Sequence, residues 1–312
     1  MNDQLMCSQA RIPMETSNRI IHQRVDQSAD GWLLPVILIV LMLSSWSFTP
    51  AWGRMWLMAV SMFGFFKCWT WRRVKGHQIP FTARSFYYLF LWPGMDARSF
   101  LNPKPWKEPP TLTAWGVALA KTLFGAVLIW GVARFAGHGL LAGWIGMIGM
   151  IFLLHFGLFD VLSLFWRSQG IRAVPLMQCP IAAPTLSDFW GKRWNVGFRD
   201  LVFGLFFVQV ARRFGANSAT VLTFLFSGLI HELAITVPAG SGYGLPSLYF
   251  GLQGGALIIE RSQVGVRMGL GKGWRGHAYT LAIVTLPVFA LFPPVFVLHV
   301  MIPFFQAIKS IS

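Results

Sequence analysis

Phe224-Leu225-Phe226-Ser227-Gly228-Leu229-Ile230-His231-Glu232 lies near the middle of an apolar run from Asn217 to Val237. A run of about 20 mostly apolar residues is what a helix needs to cross a hydrocarbon core roughly 30 Å thick. This run therefore reads as a membrane span that carries a histidine and a glutamate side by side. An ionisable group near the bilayer centre costs roughly 2.5–3.5 kcal/mol on translocon scales, so it faces a bundle interior or a wet cavity and marks a site.

The rest of the chain has the same character. Of its 312 residues, 55% are hydrophobic and 12% charged, far from the balance of a soluble domain. Spans are expected at Trp32 to Phe48, Trp52 to Trp71, Thr111 to Ala136, Leu140 to Phe165, Asn217 to Val237, Pro246 to Ile259 and Ala278 to Val300. Phe81 to Trp92 and Leu201 to Val210 are too short to cross comfortably and read as re-entrant or interfacial elements. The expected fold class is thus an all-α integral membrane protein, a multi-pass bundle of about 7–9 transmembrane helices plus partial elements. Residues 1–31 form a polar N-terminal segment with no apolar core near Met1, so no cleavable signal peptide is expected. Residues 32–305 read as one integral domain and 306–312 as a C-terminal tail.

A formal net charge of +15 raises the question of nucleic acid. The basic residues instead form short clusters between apolar spans, which excludes a continuous basic domain and argues for no nucleic-acid partner. Lys67, Arg72, Arg73, Lys75 and Arg84 follow the second span; Arg167, Arg172, Lys192 and Arg193 the fourth; Arg261, Arg267, Lys272 and Arg275 the sixth. By the positive-inside rule these connections, and with them the N-terminus, are cytoplasmic, and they also contact anionic membrane lipid. The loop from Pro93 to Pro110, with its prolines, is expected to ride on that surface.

A second segment draws notice: Pro184-Thr185-Leu186-Ser187-Asp188-Phe189-Trp190-Gly191-Lys192-Arg193-Trp194-Asn195. Thr185 with Asp188 three residues on is a capping pattern that opens a helix. Continued at helical spacing, Leu186, Phe189, Trp190, Trp194 and Gly197 share one face, while Asp188, Lys192, Asn195 and Arg199 line the other. Arg193 falls within the aromatic face, where it would snorkel or stack on a tryptophan. The segment is either an interfacial helix or the polar wall of a substrate entrance, with Lys192, Arg193 and Arg199 suited to phosphate groups.

On the first segment's helix, Ser227, Gly228 and Ala234 share the His231 face, which leaves room for a ligand or a neighbouring helix. Glu232 is rotated by about 100°, toward Gly228 and Thr236, and does not form a dyad with it. A neutral imidazole, the form burial favours, accepts a proton; the structural reading of His231 is a hydrogen bond between helices. Ser227 as a nucleophile competes with the ordinary bond from serine to the carbonyl one turn back. His155 and Asp160 read as interhelical partners, and Lys121, Glu260 and His299 as snorkelling or paired. A zinc-protease helix needs a second histidine where Ile235 stands. Cys7, Cys68 and Cys179 lack zinc spacing, and the seven histidines do not cluster as a di-iron oxygenase requires, so no metal is expected. A transporter using His231 and Glu232 as a proton or solute relay is the alternative from another class.

Taken together, Ser187 to Asn195 and, about 30 residues later, Phe226 to Glu232 resemble the membrane-bound O-acyltransferase superfamily, specifically its wax synthase-like branch. The break Phe292-Pro293-Pro294 is compatible with it, and the resemblance covers roughly Leu153 to Phe305. It implies a helical fold around a catalytic tunnel, in which acyl-CoA meets a hydroxyl-bearing acceptor such as a long-chain alcohol. His231 takes the place of the catalytic histidine and Asn195 that of the second polar site residue. Trp190, Lys192, Arg193, Trp194, Ser227 and Glu232 are the expected substrate-binding residues, and acyl-CoA serves as co-substrate with no cofactor. The implied location is a bacterial inner membrane or, in a eukaryote, the endoplasmic reticulum.

Overall fold

In lipid, backbone donors and acceptors must be satisfied within the chain, which leaves helices and closed barrels. The computed structural model describes residues 46–75 and 82–311, and among these every regular element is helical. The elements are α1 (Ala51–Lys75), α2 (Ala83–Leu91), α3 (Ala97–Leu101), α4 (Leu112–Phe135), α5 (Leu140–Ser168), α6 (186–193), α7 (196–214) and α8 (216–239). They are followed by α9 (Leu245–Arg261), α10 (Gln263–Met268), α11 (Gly273–Leu291) and α12 (Pro294–Ala307). The polar segment 1–31 and the expected first span, except for a turn at Trp46–Phe48, lie outside the described residues.

Three described stretches are long and apolar enough to cross a membrane: α4, α5 and the stretch Val196–Ala239 that holds α7 and α8. A fourth is added if α11 and α12, bent by 59° at their junction, count as one span. That bend falls at Phe292-Pro293-Pro294, where two residues without N–H groups cannot continue the helical ladder. The expected count of seven to nine is therefore not reached among the described residues. α1 has the length but carries Arg54, Lys67, Arg72, Arg73 and Lys75. α9, at 17 residues, rises only about 26 Å at 1.5 Å per residue. The partial element at Leu201 to Val210 and the span at Asn217 to Val237 prove to be two arms of one broken helix. Gly215 interrupts it at φ 85° and ψ 163°, a conformation open essentially to glycine.

Small residues let the helices approach. A Cβ placed on Gly125 of α4 would lie 2.3 Å from the Leu153 amide nitrogen of α5, and one on Gly228 of α8 would lie 2.8 Å from Ser247 Cα of α9. Close backbone approach of this kind stands in for the hydrophobic driving force that lipid does not supply. Around these pairs three buried clusters form. The largest joins α1, α4, α5, α8 and α12 through Met55, Ile129, Met147, Ile235, Val297 and Phe305, and it takes in Ile311 of the tail. A second, of Tyr88, Trp92, Phe100 and Trp166, packs α2, α3 and α5 together. A third, of Leu186, Phe224, Tyr249, Phe250 and Leu257, joins α6, α8 and α9.

Two expectations change here. Lys67 is not a loop charge. It is 1% exposed within α1, donates to the Gly94 carbonyl at 2.7 Å and lies 3.2 Å from the Tyr88 ring centroid. The aromatic face and the carbonyl together replace water around the ammonium. The loop from Pro93 to Pro110 is likewise not simply superficial, because it contains α3, whose Phe100 is fully buried.

Lys121 of α4 and Asp160 of α5 meet as an ion pair at 3.1 Å, with side-chain exposures of 30% and 2%. Removing one partner of a buried pair strands the other charge and costs ~3–5 kcal/mol when both are deeply buried. With Lys121 partly exposed, Lys121→Met should cost about 2 kcal/mol. The double variant with Asp160→Asn should recover most of that loss, measured by thermal unfolding in detergent.

Candidate active site

The segment from Thr185 onward begins as expected. Thr185 accepts a hydrogen bond from the Asp188 amide at 3.0 Å and opens α6. The helix is then anchored from outside. The carboxylate of Glu260, at the end of α9 and 4% exposed, accepts from the amides of Leu186 at 2.6 Å and Ser187 at 3.0 Å, and from the Ser187 hydroxyl at 2.6 Å. A carboxylate on the first amides of a helix is a strong, charge-assisted cap. Glu260 was expected to snorkel or pair; what it holds is the opening of α6.

The continuous amphipathic helix expected through Arg199 is not formed. α6 ends in a wide π turn at Phe189–Arg193, closed by the Trp194 amide on the Phe189 carbonyl at 2.9 Å. Trp194 is then extended, and its ring stacks on Phe189 with centroids 5.6 Å apart. Asn195 follows at φ 42° and ψ 60°, the left-handed region that asparagine tolerates better than most residues. Its Oδ1 accepts from the Phe198 amide at 3.2 Å and so starts α7. Because an N–H must meet an oxygen, the Asn195 amide is oriented with Oδ1 on the cap, which leaves the Nδ2 donors for other use.

One cavity of about 2820 Å³ gathers most of the expected residues. Its wall includes Trp190, Lys192, Trp194, Asn195, Ser227 and His231. The volume is several times the roughly 300–1,000 Å³ of a pocket for one small ligand. Arg193 and Glu232 are not on that wall. Arg193 pairs with Asp188 and donates to the carbonyls of Gln178 at 3.3 Å and Cys179 at 3.2 Å, so it neither snorkels nor stacks but fastens the preceding loop. Glu232 accepts from the Ser247 amide at 3.0 Å and from the Thr236 hydroxyl, joining α8 to the start of α9. The relay reading thereby loses its second member. Two further cations expected at the entrance are also engaged: Lys192 lies 3.6 Å from Asp188, and Arg199 pairs with Asp200 and donates to the Gly191 carbonyl at 2.6 Å.

His231 ends the regular part of α8, just before a π turn at Glu232–Thr236. Its Nδ1 lies 2.7 Å from the Ser227 carbonyl oxygen. A carbonyl only accepts, so Nδ1 carries the proton and Nε2 keeps its lone pair. The imidazole packs on Phe250 of α9, with centroids 4.5 Å apart. Phe250 in turn touches Trp190, whose indole donates to Gln253 Oε1 at 3.3 Å, while the Gln253 amide donates to the Ile283 carbonyl of α11 at 2.7 Å. Gln253 and Phe250 were not singled out from sequence, although a fully buried glutamine in an apolar helix is the kind of signal that could have found the first. The Ser227 hydroxyl donates to the Thr223 carbonyl at 3.0 Å, the ordinary bond one turn back, and is no poised nucleophile.

His155 of α5 shares the cavity wall, with its ring against Phe159 at 5.2 Å and its Nδ1 buried without a hydrogen-bond partner among the described residues. One part of the wall is apolar, with Met55, Trp56, Trp144, Met147, Phe292 and Phe296.

Residues 173–250, which contain both segments together with α7 and α8, match the model of the Membrane bound O-acyl transferase family. The resemblance read from the two motifs therefore holds over these residues; the match ends before the Phe292-Pro293-Pro294 break. Over an aligned length of 102 residues the chain is 30% identical to a long-chain-alcohol O-fatty-acyltransferase of Simmondsia chinensis. That similarity covers 28% of this chain and 29% of the relative's length.

The anchoring of α6 is open to direct test. Glu260→Ala removes both carboxylate acceptors, leaving only the Thr185 hydroxyl at the cap, and should lower stability by about 2–4 kcal/mol, with Glu260→Gln, which keeps one oxygen, losing less. Thermal unfolding of the purified variants in detergent measures both.

Proposed function

We propose that the protein is a membrane-embedded O-acyltransferase that moves a fatty acyl group from acyl-CoA to the hydroxyl of an apolar acceptor, with His231 as general base. The observation that carries this reading is the 2.7 Å contact between His231 Nδ1 and the Ser227 carbonyl, which frees Nε2 on a cavity wall. An alcohol is a weak nucleophile at neutral pH, and a positioned base raises the rate by roughly 10²–10⁴. Nε2 takes the hydroxyl proton as the oxygen attacks the thioester carbonyl. The tetrahedral intermediate then collapses, the carbon–sulfur bond breaks, and the proton passes from the imidazolium to the departing thiolate.

Asn195 supports the same step as a donor. Its Oδ1 is spent on the Phe198 amide, so Nδ2–H is the group left to polarise the thioester carbonyl as negative charge develops on oxygen. The apolar part of the wall, with Met147, Phe292 and Phe296, favours a long-chain alcohol over a small polar acceptor. The similarity to a long-chain-alcohol O-fatty-acyltransferase supports the same class. The basic connections are assigned to the cytoplasm, the side from which acyl-CoA is supplied.

Purified protein supplied with labelled acyl-CoA and a panel of alcohols should form esters, with longer alcohols preferred. His231→Ala should lower kcat/KM by roughly 10²–10⁴ while unfolding at the wild-type temperature. Undiminished transfer by a folded His231→Ala protein would end the general-base assignment, and no ester from any donor and alcohol would end the acyltransferase reading.

A further inference from the structure

The arginines at the cavity carry a positive field that the entrance helix does not account for. The charged side chains on the wall include Arg73, Arg98, Arg172 and Lys192, against the carboxylates Asp96 and Asp200. Both carboxylates are committed. Asp96 accepts from the Ser99 amide at 3.0 Å as the cap of α3, and Asp200 pairs with Arg199.

Arg73 and Arg98 reach the wall from elements far apart in sequence. Arg73 stands in the last turn of α1, where it donates to the Gly204 carbonyl at 2.6 Å and lies 4.5 Å from the Trp69 ring centroid. Arg98 stands on α3, whose Ala97, Phe100 and Leu101 are buried beneath it, so its backbone rests on a rigid aromatic pad. Burial first, and then the neighbouring Arg98 charge, weigh against the protonated form of Arg73, so the two guanidinium groups sit within reach of each other's field. Arg98 itself is exposed and makes no hydrogen bond or ion pair among the described residues. Adjacent like charges repel unless an anion lies between them, and guanidinium forks match phosphate oxygens in geometry as well as charge.

We propose that Arg73 and Arg98 hold phosphate groups of the acyl donor at the mouth of the cavity. This rests on the acyl-transfer reading above. It moves the donor's anionic end from Lys192, Arg193 and Arg199, which are already paired, to guanidinium groups presented by α1 and α3. Arg73, tied to Gly204, is the fixed member of the pair, and Arg98 is the one that closes on the ligand. Their role is binding: they hold the donor's anionic end equally before and during the reaction, and they take no part in proton transfer.

The same phosphate chemistry is offered by an anionic lipid headgroup, and the test separates the two. Initial rates are measured for the full chain in nanodiscs, with acyl-CoA and with the matching S-acyl pantetheine, which keeps the thioester and lacks the phosphates. Arg98→Gln should raise KM for acyl-CoA about tenfold, the loss of one charge-assisted hydrogen bond, and leave kcat unchanged. KM for S-acyl pantetheine should not move, and Arg98→Lys should recover part of the loss. An equal change with both donors, or no change with either, overturns the proposal. So does an effect that follows the phosphatidylglycerol content of the nanodisc irrespective of donor, which assigns the arginines to lipid. Calorimetric binding of free CoA is the readout independent of turnover. CoA bound by the wild type and weakened by Arg98→Gln, with no ester formed, would keep the phosphate site and discard acyl transfer.

Discussion

A polar group on a membrane helix has no water to fall back on, and the described structure is organised by that constraint. Among the described residues, Glu232 and Glu260 do not pair with cations. Each turns to backbone amides at the start of another helix, Glu232 to Ser247 and Glu260 to Leu186 and Ser187. Helix starts hold unsatisfied N–H groups, so one contact removes two costs at once: a carboxylate without solvent and a helix end without acceptors. The result fixes where α9 meets α8 and where α6 meets α9. These junctions bring Trp190, Phe250 and His231 into a common wall.

Asparagine at 195 solves a related problem. The chain must turn sharply between α6 and α7, and the turn needs both a left-handed residue and an acceptor for the Phe198 amide. Asparagine supplies both and still has two donors to present. The cap and the remaining donors thus lie at opposite ends of one side-chain amide. The same economy holds at His231, a residue of the cavity wall, where one ring nitrogen is engaged by the Ser227 carbonyl and the other is left out of that bond.

Much of the helical framework was legible from hydropathy alone. α4 and α5 lie where apolar length places them, and the proline break is visible between α11 and α12. The break at Gly215 was not, because glycine is frequent in membrane helices and a single one does not announce an interruption. Motif spacing led to the cavity residues Trp190, Asn195, Ser227 and His231, yet it misread the path between them. Helical periodicity carried through Trp194 and Asn195, whereas the backbone leaves the helix there. Charges were harder still: Arg193, Arg199 and Glu232 looked available for a ligand, but each is consumed by a partner remote in sequence, adjacent in sequence, or on a neighbouring helix. Pairing of this kind has no period to read.

The Nδ1 of His231 is held by a carbonyl four residues back on its own helix. Many histidines are instead oriented by a carboxylate from another element. Here the tautomer is set within one turn of α8, while the surfaces around it belong to α1, α5, α9, α11 and α12. Such a division uncouples the tautomer of the imidazole from the shape of the chamber. Mutations that widen, narrow or re-line the chamber should leave the imidazole's tautomer in place, so under the proposed acyl transfer the acceptor preference can drift over evolutionary time while the proposed base stays intact.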